Sequence, residues 1–114
     1  MAQIPEEILV SFLEILRQLL LIVNECSLAE YEILQQYNET EMTIDALESL
    51  ADIRQRVSDR YSQLTNAVLR LASIQPRATG DSLTIISDRI VNIQNTIPAF
   101  LRSIEEIRND WGRS

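Results

Sequence analysis

The chain has 114 residues, 46% hydrophobic and 24% charged, with two Gly and three Pro, a profile that argues against disorder and for one domain, 1–114, made of a few long elements. Seventeen acids against ten bases, all of them Arg, give a net charge of −7, and the bases form no cluster along the sequence, which disfavours nucleic acid or an anionic membrane surface as a ligand. With no His and no Lys, imidazole-based catalysis, His-containing zinc sites and Schiff-base chemistry all drop out.

The first helix is expected at about residues 5–38. Pro5 suits its opening, and Glu6 and Glu7 complement the positive end of the helix dipole. Ile8, Phe12, Ile15, Leu19, Ile22, Cys26, Ala29 and Ile33 step by fours and threes. A second row, Leu9, Leu13, Leu16, Leu20 and Val23, widens the apolar face enough for two neighbours. The run Ile8–Val23 is broken by Ser11, Glu14, Arg17 and Gln18 and follows acids rather than bases, so it reads as neither signal peptide nor membrane span. Cys26 falls on the core row as a buried thiol. A single cysteine with no Cys-x-x-Cys pair fits a reducing cytoplasm.

The polar stretch 38–43 reads as a tight connection with Thr43 as N-cap, and a second helix follows at about 44–75. Leu47, Leu50, Val57, Tyr61, Leu64, Val68 and Leu71 keep its heptad, with Arg54 in the one polar slot, placed to reach an acid on a neighbouring helix. Ala51, Ser58, Thr65 and Ala72 form a small-residue flank suited to close helix approach. Pro76 ends the helix, and Asp81 or Ser82 caps a third at about 82–111. Leu83, Ile86, Ile90, Ile93, Ile97, Phe100, Ile104, Ile107 and Trp111 fill nine consecutive core positions there, and Pro98 should kink the helix without breaking it.

Three long helices with short connections predict an all-α, up-down-up antiparallel three-helix bundle. In length and helix count it resembles a spectrin-type repeat, a likeness of architecture with no shared motif.

The residues left over from the core suggest contact rather than catalysis. Val10 and Leu21 are surplus apolar residues beside the core row, as are Ile85, Val91 and Leu101 on the third helix, so a homo-oligomer, most simply a dimer, is expected. Its self-contact should use Val10, Phe12, Leu13, Arg17, Leu20 and Leu21. Between Gln18 and Ile53 eight acids stand with no base, predicting a negative bundle end. A solvated face is the leading reading of these acids; the second is a surface at which Glu32, Glu39, Glu41, Asp45 and Glu48 dock a basic protein partner, and a carboxylate metal site is a weaker third. No catalytic residue and no cofactor is expected. The alternative function is a carrier holding a small apolar molecule near Pro98, lined by Tyr31, Tyr61 and Phe100.

Overall fold

The computed structural model describes residues 4–73 and 80–112. Three helices, α1 (Glu6–Tyr37), α2 (Glu41–Ser73) and α3 (Gly80–Gly112), pack as one antiparallel bundle with no strand among the described residues. The ends fix the directions. Arg54 of α2 pairs with Glu30 of α1, joining the start of α2 to the end of α1. Near the same end, Arg108 of α3 reaches Glu25 and Glu32, so α1 and α3 run parallel with α2 against both.

All of the predicted α1 core row is buried except Ile8, which is half-buried against the core. The second row behaves differently. Leu16 and Val23 are half-buried, whereas Leu9, Leu13 and Leu20 face away from the chain's own core.

On α2 the buried positions are Thr43, Ala46, Leu50, Ile53, Val57, Leu64, Val68 and Leu71. Ile53 therefore takes the core slot assigned to Arg54, and the buried phase then slips by one residue to Tyr61 and Val68. A straight helix of 3.6 residues per turn drifts against a seven-residue repeat, which accounts for the slip. Arg60, displaced to the core edge, lays its guanidinium 5.1 Å from the centre of the Phe100 ring. Of the nine α3 positions, Ile86, Ile90, Ile97 and Ile104 are buried, and the other five pack against the core partly covered. The helix continues through Pro98, which faces solvent, so the carbonyl of Gln94 that loses its amide partner is open to water.

Helix starts depart from the expected ones for local reasons. Thr43 is not the N-cap of α2, which begins at Glu41. Its Oγ1 accepts from the Thr40 N–H at 2.9 Å and donates to the Asn38 carbonyl at 2.9 Å, so a buried hydroxyl one turn inside closes the connection. Asn38 has a left-handed φ of 59°, which Asn accepts more readily than most residues. Asp81 and Ser82 lie within the first turn of α3 rather than before it. The stretch 74–79, with Pro76 and the expected end of α2, lies outside the described residues.

Trp111 closes the α3 row against Tyr37, ring centres 5.4 Å apart and edge to face, and the Tyr37 hydroxyl donates to the Trp111 carbonyl at 2.6 Å. This latch ties the last turn of α3 to the end of α1. Tyr37→Phe removes the hydrogen bond and keeps the ring, so thermal unfolding should show a loss of about 0.5–1.5 kcal/mol.

Candidate functional site

The outer face of α1 stands apart from every other surface of the bundle. At 100° per residue, Val10, Leu13, Arg17, Leu20, Leu21, Asn24, Leu28 and Tyr31 fall within one sector of α1, opposite the buried row. Val10 and Leu13 are each 60% exposed, Tyr31 59%, and Leu20, Leu21 and Leu28 between 43% and 53%. Together these six residues leave on the order of 600 Å² open, at the upper end of what a monomer's largest apolar patch usually reaches. Their spacing is itself a heptad. Val10, Leu13, Arg17, Leu20, Asn24, Ser27, Tyr31 and Leu34 alternate steps of three and four, so α1 carries a second seam behind the first.

No comparable face exists on the other helices among the described residues. On α2, Met42 points away from Ile44, and Leu69 shares the direction of Ile44 only about seven turns further along the helix, while Ile85, Val91 and Leu101 on α3 point in separate directions, which makes them scattered surface residues.

Of the residues expected in the self-contact, the structure brings Val10, Leu13, Arg17, Leu20 and Leu21 together on this face. Phe12 is a correction. It is 9% exposed and packs inside the chain's own core, because its step from Ile8 and to Ile15 and Leu19 follows the buried row. Leu28, Tyr31 and Asn24 complete the face and were missed. The signal was present in the three-four spacing, which continues past Val23 with Asn24 and Ser27 interrupting it.

Arg17 sits in the middle of the apolar sector with its charge already met. Its Nη2 and Nε donate to Glu14 at 2.7 and 3.0 Å, and Gln18 donates to the same carboxylate at 3.0 Å. The Arg17 hydrogen bonds first, and that of Gln18 second, hold the Glu14 carboxyl down from its ordinary 4.5 to about 2. A depressed carboxylate stabilises fully above its unfolded value, so this contribution to α1 is intact above pH 4.5 and fades as pH falls through about 2. In Arg17→Met, the Glu14 carboxyl titration followed by NMR should move back toward 4.5.

The negative bundle end is partly corrected. Arg54 neutralises Glu30, and Arg108 binds Glu25 at 2.6 Å and lies 3.7 Å from Glu32, so three of the eight acids meet bases from other helices. Arg108 lines an open cleft of about 520 Å³ between α1 and α3 with Glu25, Glu32, Leu101 and Ile104. Glu32 makes no hydrogen bond to Arg108, and its side chain stays half exposed at the cleft. Glu39 is exposed in the connection, and Glu41, Asp45 and Glu48 form an exposed row on α2 with no Arg within 4 Å among the described residues. No group of three metal-ligating side chains converges among the described residues. The three rings of the expected carrier pocket do not assemble either. Tyr31 belongs to the outer face of α1, while Tyr61 and Phe100 pack against the core.

Cys26 is fully buried, and burial pushes its thiol up to about 11, with Glu30 adding to the shift, so the thiol is unreactive at neutral pH. No helix among the described residues is long and apolar enough to cross a membrane. Comparison with protein-family models, curated proteins and solved structures returned no match.

Proposed function

We propose that the protein is a non-enzymatic assembly module that acts by helix-on-helix docking and self-association through the outer face of α1. The observation that carries this reading is a helix apolar on opposite sides, one side filled by α2 and α3 and the other open. A surface helix needs one apolar stripe, toward its own core, and a second on the opposite side calls for a partner. The acid row Glu41, Asp45 and Glu48, with Glu39 beside it, is the second surface of the module, where a basic protein partner would be steered by a salt-sensitive attraction. A charge of −7 with no Lys disfavours nucleic acid and anionic membranes as partners, and the lone buried thiol suits a reducing cytoplasm.

Light scattering at high micromolar concentration tests the self-association directly. A mass near twice 13.1 kDa is expected. A mass of 13.1 kDa throughout the range would sink that part of the reading.

A further inference from the structure

We propose that the outer face of α1 docks α1 of a second copy, laid antiparallel across a two-fold axis between Leu20 and Leu21. The inference rests on the assembly reading above and adds the occupant, its direction and its register.

The order of residues across the sector carries the argument. Reading outward from the midpoint of Leu20 and Leu21, an antiparallel copy sets Leu20 on Leu21, Arg17 on Asn24, Leu13 on Leu28, Val10 on Tyr31 and Glu6 on Gln35. Any helical stripe has symmetric positions, but here the residue types match as well at each of these five levels: apolar meets apolar and polar meets polar, while Leu34, at the edge of the seam, falls opposite Glu7. A two-fold contact requires such self-complementarity, since each pair occurs twice.

A parallel pair would make the opposite contacts. It would stack Arg17 on Arg17, Asn24 on Asn24 and Glu6 on Glu6, placing like charges together at two levels. Antiparallel packing also opposes the two helix dipoles favourably. Arg17 enters such an interface with its charge balanced by Glu14 of its own chain, so no lone charge is stranded.

The area is of the right order. The six apolar residues and Arg17 leave on the order of 700 Å² exposed per copy, the most that docking could cover, against about 800 Å² per partner buried in a standard stable interface. Because α2 and α3 pack on the other side of α1, two bundles can meet back to back without obstruction.

Single-cysteine cross-linking reads the register, since native Cys26 is buried and does not react. Leu20→Cys alone should form a covalent dimer under mild oxidation at least tenfold faster than Leu13→Cys alone. Leu13→Cys mixed with Leu28→Cys should link to each other, although neither links to itself. Circular dichroism should show all three variants folded, because the positions are exposed. Self-linking of Leu13→Cys as fast as Leu20→Cys would mean a parallel pair, overturning the register while leaving the docking reading intact. A dimeric mass with no linking at either position would move the contact to another face and overturn the proposal. A monomeric mass for wild type would overturn both this proposal and self-association.

Discussion

Leu19→Ala should lower the unfolding free energy by about 3–4 kcal/mol, among the largest losses expected from a single truncation in this chain. Leu19 is completely buried at the centre of the α1 row, flanked by Ile15 and Ile22, which are also all but inaccessible. The truncation removes three heavy atoms from a site where all sides are occupied. Because α1 packs against both other helices, the space left cannot close by moving one of them without disturbing the other. The expected drop in melting temperature is about 10–20 °C for a chain of this size. Leu21→Ala, two residues on but on the outer face, is the control: its melting temperature, extrapolated to low protein concentration, should change by only a few degrees. Equal losses for Leu19 and Leu21 under those conditions would show that the two seams of α1 are not divided as described.

The second large effect concerns association. Leu13→Glu combined with Leu20→Glu should weaken the dimer by at least 100-fold, seen as a monomeric mass at concentrations where wild type is paired. Four carboxylates would be brought into an apolar contact where the only cation of each copy's face, Arg17, is already paired with Glu14, so negative charge would lose its hydration uncompensated. The fold should survive, since Glu and Leu have similar helix propensities and both positions are open in the monomer. Melting separates the two effects. The wild-type melting temperature should rise with protein concentration, as binding that favours the folded state requires, whereas that of the double variant should not. A concentration-dependent melt that persists in the double variant would place the contact elsewhere.

Most of the fold was legible because long helices encode their buried side in spacing. The α1 and α3 rows needed only the alternation of threes and fours to be identified, and the shortness of the 38–40 connection set the antiparallel direction. What escaped was of two kinds. Thr43 and Ile53 were misread because helix phase and cap position are settled by one-residue differences that several registers satisfy equally. The reach of Arg54 to an acid on a neighbouring helix was legible and is met by Glu30, whereas Arg108 stands 83 residues from Glu25, and local charge counting cannot see across a fold. The candidate site lay between these cases. Val10, Leu13, Leu20 and Leu21 were visible as apolar excess, but only the separation of α1 into an occupied side and an open side showed that Phe12 belongs to one and Tyr31 to the other.

The bundle measures 57 × 19 × 16 Å, with a radius of gyration of 17.6 Å where a rounded chain of similar size would have about 13 Å. A rod of these proportions tumbles and diffuses slowly, so a single copy will elute from a sizing column ahead of globular standards of equal mass. Elution volume alone would therefore count one molecule as two. Side-by-side pairing thickens the rod while barely lengthening it, so X-ray scattering in solution should find that dilution changes the cross-sectional radius far more than the maximum dimension.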